Sequence, residues 1–172
     1  LLSKNIINKF KIRERDLIID IGSNDGTFLN FFKKKNCKVL GVDPALNVVK
    51  IARRKGITSI CSFFNKGVVK KIRKKYNKAK LITCFNTFAH APNMREIVFC
   101  ISEILDNNGI FVFECQYLSD IYKKKILGTI FHEHMYHHSV TSLNNLFNTY
   151  DLQLFDVERV NIQKGSIIGY VC

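Results

Sequence analysis

The sequence predicts an α/β fold: a mostly parallel, seven-stranded sheet with helices on both faces and an antiparallel hairpin at its C-terminal end. Three observations carry that expectation. Five short runs rich in Val, Ile and Phe are apolar on both faces, and segments with helical spacing separate them. The last two strand-like runs are joined by too few residues for a crossover. Strands buried on both sides read as near-continuous apolar runs because helices cover each face of a parallel sheet, joined by right-handed crossovers.

In chain order the strand runs are "LIIDIG" (17–22), "CKVLGVD" (37–43), "ITSICSFF" (57–64), "LITCFN" (81–86) and "GIFVFEC" (109–115). Between them, helical spacing links Phe28, Leu29, Phe31 and Phe32; Val48, Val49 and Ile51; Val68, Val69 and Ile72; and Ile97, Val98, Ile101, Ile104 and Leu105. "SVTSLNNLFNTYD" then opens with cap-forming Ser and Thr and spaces Leu143, Leu146 and Phe147 as one helical face. "LQLFDVERV" and "SIIGYVC" follow, separated only by "NIQKG", so they are expected to pair antiparallel.

A chain of 172 residues, 47% hydrophobic and 24% charged, suits one well-buried core, and residues 1–172 read as a single domain. It begins with Leu1 rather than Met and stops within an apolar run, as a piece of a longer protein would. No apolar run reaches the roughly 18 residues of a membrane span, and "LLSKNIINKFK" lacks a signal-peptide core, so a cytoplasmic setting is expected and a membrane is not. The six cysteines show no close pairing and mostly sit in apolar runs, which indicates neither disulfides nor a cysteine zinc site. The net charge of +13 suggests an anionic partner. In "KKIRKKYNKAK" (70–80), however, the charges surround Val69, Ile72 and Tyr76 as on the solvated face of an amphipathic helix. With no basic-aromatic repeat and no helix-turn-helix pattern, nucleic acid is not the expected partner.

The loop "DIGSNDG", Asp20 to Gly26, follows the first strand and opens a helix, which is where an open sheet binds nucleotides. A dinucleotide fingerprint fails, because its second and third glycine positions fall on Asn24 and Thr27, and no Gly-Lys-Ser/Thr makes a phosphate loop. Asn24 is the side chain that best tolerates a left-handed turn, so the loop is expected to stay tight. Asp43 ends the second strand 21 positions after Gly22, where a carboxylate accepts hydrogen bonds from both hydroxyls of a ribose. The alternative for Asp43 is a helix cap in "DPALN".

"DIGSNDGTFL", "GVDPALN", "FNTFAHAPN", "FVFECQYLSDI", "IFHEHMYHHSVTSL" and "DLQLFDVERV" occur in this order from about Leu17 to the end. Their order and spacing resemble the S-adenosylmethionine-dependent C-methyltransferases that act on nucleotide-linked keto-deoxysugars. The order of elements likewise resembles the Rossmann-like class I methyltransferase architecture, as analogy. The resemblance implies S-adenosylmethionine as cofactor, held by Asp20, Gly22, Ser23, Asn24, Gly26 and Asp43, with Asn86 and His90 after the fourth strand. In the plainer alternative Asn86 caps the helix entry and His90 packs. It also implies a small-molecule nucleotide-sugar partner, which the basic balance would suit. Longer members of that family carry an N-terminal zinc-binding domain and a further C-terminal domain.

Four of the five histidines crowd into "IFHEHMYHHS" (130–139). Removing a proton from a carbon beside a ketone requires a base and a stabilised enolate oxygen, and imidazole, with a pKa of about 6.5, suits the first task. By resemblance His134 matches that base and Glu133 its partner carboxylate, with Phe131, His132 and His137 on the acceptor. Two departures stand out: Phe131 occupies the place of a Tyr, and His137 occupies that of another Tyr, with Tyr136 displaced by one. No metal is expected, since His132 and His134 alternate as two ligands would but no third is specified. His137 and His138 precede a helix start, where histidines are usually solvated. Methyl transfer to oxygen or nitrogen, and a non-catalytic cofactor- or sugar-binding module, are the competing functions.

Overall fold

The computed structural model describes residues 2–88, 93–126, 128, 136–162 and 165–172. Among them, β1 (Leu17–Ile21), β2 (Lys38–Asp43), β3 (Thr58–Cys61), β4 (Ala79–Phe85) and β5 (Leu105–Gln116) run parallel. β6 (Leu154–Val160) and β7 (Ser166–Val171) pair antiparallel, and β7 also pairs antiparallel with β5, giving the order β3-β2-β1-β4-β5-β7-β6. The expected hairpin is therefore present, and its second strand inserts between β5 and the first.

Alternation along each strand sorts side chains between two cores. Ile18, Leu81, Val112 and Ile168 face α1 (Leu2–Lys9), α2 (Thr27–Lys33) and α3 (Leu46–Arg54), packing with Ile6, Leu29, Phe32 and Ala52. Ile19, Ile82, Phe113 and Ile167 face α4 (Lys66–Lys75), α5 (Met94–Ile104) and α7 (Val140–Asn148), packing with Ile72, Ile101, Leu143 and Phe147. Each such fully buried side chain contributes about 1.5–3 kcal/mol.

Local chemistry sets the ends. Ser139 caps α7 with a reciprocal box to Ser142, as the Ser and Thr before that helix led one to expect. In α4, Val69 and Ile72 are buried while Lys70, Lys71 and Lys74 are exposed, so the charged stretch is a solvated face. That helix stops at Lys75 instead of continuing to 80, because Ala79 already begins β4. Two short helices had no counterpart in the sequence reading: α1 and α6 (Leu118–Lys123). α1 is fastened by Lys9, whose Nζ lies 2.7 Å from Asp156 and 3.1 Å from Glu158 and sits over the Tyr170 ring. No helix of the described residues is long and apolar enough to cross a membrane.

Candidate functional site

The carboxyl ends of β1, β2, β4 and β5 form one edge, and the residues of "DIGSNDG" lie along it. Gly22, Asn24 and Gly26 have φ of 72°, 48° and 75°, so Asn24 takes the left-handed conformation its side chain tolerates. Gly22 is demanded twice over, because a Cβ there would also lie 2.1 Å from Thr87 Oγ1. The Gly22 and Ser23 amides donate to the Val42 carbonyl at 2.8 and 3.3 Å, which ties the loop to β2.

Asp43 locks the same junction. Its Oδ2 accepts from the Asn24 amide at 2.9 Å and its Oδ1 from the Ala45 amide at 2.8 Å, so it orders the turn before α3; the N-cap of that helix is Ala45, with no side-chain cap, and Asp43 is not the cap. Each carboxylate oxygen has a second lone pair, so these backbone bonds leave room for a further donor. Asp20 is buried and accepts the Thr83 hydroxyl at 2.6 Å. Burial pushes its pKa up to about 7, opposed by the Thr83 hydrogen bond and assisted by the negative charge of Asp43.

Two clefts meet at Gly22. One, of about 340 Å³, is lined by Val42, Pro44, Phe63, Asn65 and Thr87 among others, beyond the ends of β2 and β3. The other, of about 430 Å³, runs past Asp20, Ser23, Asn24, Phe28, Phe85 and Glu114. Among the described residues, no Lys or Arg lines either cleft. A larger basic cleft, about 730 Å³, lies at the opposite end of the sheet and is walled by Arg13, Arg15, Lys38, Lys78 and Lys80. Among the described residues, the basic balance therefore gives these two clefts no cations.

Asn86 follows β4 at the same edge with φ of 50°, and its amide donates to Glu114 Oε2 at 3.1 Å. The lining of the first cleft takes the next residue, Thr87. His90, Phe131, His132, Glu133 and His134 lie outside the described residues. His137 is half-buried. His138 is buried rather than solvated: its carbonyl accepts the Leu118 amide at 2.8 Å, and its ring lies 5.7 Å from that of Phe88. Burial, reinforced by His137, lowers its pKa to about 4 and keeps the imidazole neutral.

Sequence reasoning passed over Thr83, Thr87 and Glu114, and it read His138 as a solvated residue before a helix. A carboxylate inside the apolar run "GIFVFEC" was the available signal for Glu114. The others depend on contacts distant in sequence.

This sheet order, with a nucleoside-sized acidic cleft at its carboxyl edge, defines a Rossmann-like methyltransferase architecture. The family model described as a methyltransferase domain matches residues 2–157, and the chain belongs to that family. It is 33% identical over 164 residues to the C-methyltransferase NovU of Streptomyces niveus, an alignment covering 95% of this chain. The chain spans 39% of that protein's length. Among solved structures it is similar in fold to a putative sarcosine dimethylglycine methyltransferase from Galdieria sulphuraria, with a TM-score of 0.77 and 11% identity over 99% of this chain and 83% of that one. It is likewise similar to the magnesium protoporphyrin IX methyltransferase of Synechocystis PCC 6803 with bound SAM, with a TM-score of 0.73 and 11% identity over 99% and 75% of the two chains.

Family membership makes S-adenosylmethionine the cofactor. The residues present fit it. Ser23 Oγ and Glu114 Oε1 are buried in the second cleft with no hydrogen-bond partner, and Gly22 keeps the junction of the clefts free of a side chain. Phe63 and Asn65 line the first cleft, Ser23 and Asn24 line the second, and the buried Asp43 ties the loop between them through the Asn24 amide.

Proposed function

We propose that this domain methylates carbon, taking the methyl from S-adenosylmethionine and placing it beside the keto group of a nucleotide-linked keto-deoxysugar. The observation that carries the reading is the 33% identity to a C-methyltransferase across 95% of the chain, including the histidine segment. When bound, the cofactor supplies a methyl group already activated by its sulfonium.

The chain's own residues do the rest. His134 removes the proton from the carbon next to the ketone, and Glu133 orients its imidazole. His132 and His137 donate to the developing enolate oxygen, taking over a task that Phe131 lacks the hydroxyl to perform. His134 precedes His138 by four residues, and His138 is anchored by Tyr117 and Leu118 at the end of β5, the edge that carries the cofactor clefts.

Mass spectrometry after incubation with S-adenosylmethionine and a panel of nucleotide 4-ketosugars tests the reading. Carbon-bound methyl in a sugar product supports it, and methyl on oxygen or nitrogen, or no turnover, contradicts it. In the same assay His134→Gln is expected to slow transfer by about 10²- to 10⁴-fold while leaving cofactor affinity intact. It should also suppress exchange of the substrate proton with deuterated solvent, observed by NMR. Exchange at the parent rate would remove His134 from the role of base.

A further inference from the structure

Glu114 is a buried carboxylate with half of its hydrogen-bonding capacity unused. It stands near the carboxyl end of β5, in register with Phe85, and is only 4% exposed. The Asn86 amide fixes Oε2, whereas Oε1 is buried without a partner. Leaving such an atom unpaired costs more than an ordinary hydrogen bond returns, so a water, an ion or a ligand group is called for at Oε1.

The surroundings say what would complete it. The cleft that Glu114 lines also holds Asp20 and Asp25. Asp25 is neutralised by Lys55, with Nζ 2.5 Å away, and Asp20 commits one oxygen to the Thr83 hydroxyl. Among the described residues no cationic side chain lines this cleft, and the carboxyl groups of Asp20 and Glu114 both border it. The lining also includes the apolar side chains of Phe28, Phe31, Ile162 and Ile168, the last of them beside Glu114 in register on β7. A compact cation with several donors is the matching ligand, and the cleft adjoins at Gly22 the one that takes the nucleoside.

We infer that Glu114 is a cofactor-binding residue whose free Oε1 receives the α-ammonium group of the methionine end of S-adenosylmethionine. The assignment rests on S-adenosylmethionine being the cofactor. It makes Glu114 a selector for the amino-acid end of the cofactor, distinct from Asp43 at the ribose. A neutral hydroxyl of the acceptor could also pair with Oε1, and the experiment separates the two.

Calorimetry compares S-adenosylhomocysteine with its deamino analogue, which keeps everything except the amine. The parent protein should prefer S-adenosylhomocysteine by about 10- to 100-fold, the usual value of a charge-assisted hydrogen bond to a buried partner. Glu114→Gln should erase that preference while leaving affinity for the deamino analogue within about twofold, and Glu114→Asp should restore part of it. Equal affinity of the parent protein for the two ligands overturns the assignment even if no variant folds. So does a Glu114→Gln variant that weakens both ligands alike, or one that keeps the preference and changes only the KM of the acceptor. If neither ligand binds the parent protein, and 5′-methylthioadenosine does not bind either, the cofactor reading itself fails and the assignment falls with it.

Discussion

At the carboxyl ends of β1, β2 and β5 sit Asp20, Asp43 and Glu114, all buried, whereas the amino ends of β1, β2 and β4 are rimmed by Arg13, Arg15, Lys38, Lys78 and Lys80. The contrast teaches where a net charge of +13 belongs. Much of the positive excess is solvated, as along α4 and around the basic cleft at the other end of the sheet, while Lys55 pairs with Asp25 at the acidic edge. The cofactor edge is acidic, which suits a cofactor bearing a sulfonium and an ammonium. Net charge describes the surface, while the site is set by a few desolvated groups whose energies are larger.

Four perturbations break or sharpen this contrast. The largest effect is expected at Gly22. Gly22→Ala forces a side chain into left-handed backbone, costing about 1–2 kcal/mol from conformation alone, and drives its Cβ against Thr87. Thermal melting should fall, and binding of S-adenosylhomocysteine should be lost. Asp43→Ala comes next. It removes an acceptor from the Asn24 and Ala45 amides together with the proposed ribose partner, and calorimetry should record a loss of about 1.5–3 kcal/mol in cofactor binding.

Asp20 gives a pH signature. Its folded pKa of about 7 lies above the ordinary value of 3.8, so the protonated form is the one folding favours. The stability it contributes is full below pH 3.8 and is lost as pH rises through 7. Between pH 6 and pH 8 the advantage of the parent protein over Asp20→Asn in chemical denaturation should shrink by about 1.4 kcal/mol. A constant difference would mean that Asp20 is already ionised in the folded protein. The smallest effect belongs to the basic end. Reversing Arg13 and Lys78 to Glu should change stability by no more than about 0.5 kcal/mol per site and leave cofactor affinity untouched.

The same contrast explains what the sequence revealed. The strands were legible because a parallel sheet imposes apolar runs on residues such as Ile18 and Ile19, whose neighbours then divide between two cores. The glycine loop was legible because left-handed backbone leaves few choices, and Asn24 was one of them. α1 was not, since its place depends on Lys9 reaching Asp156 and Glu158, far along the chain. The burial of His138 was equally hidden, because Phe88 and Leu118 supply its surroundings. Asp43 lay between these cases: its position was readable, but its two backbone hydrogen bonds, one to the glycine loop and one to the turn before α3, came from the fold.

The central claim is that the acidic edge is the cofactor site, and one titration tests it most directly. Calorimetry with S-adenosylhomocysteine on the parent protein, Asp43→Ala and the Arg13, Lys78 double reversal should find saturable binding, weakened only in Asp43→Ala, with no binding of a nicotinamide dinucleotide. Affinity that survives Asp43→Ala unchanged but falls on charge reversal at the basic end would contradict it.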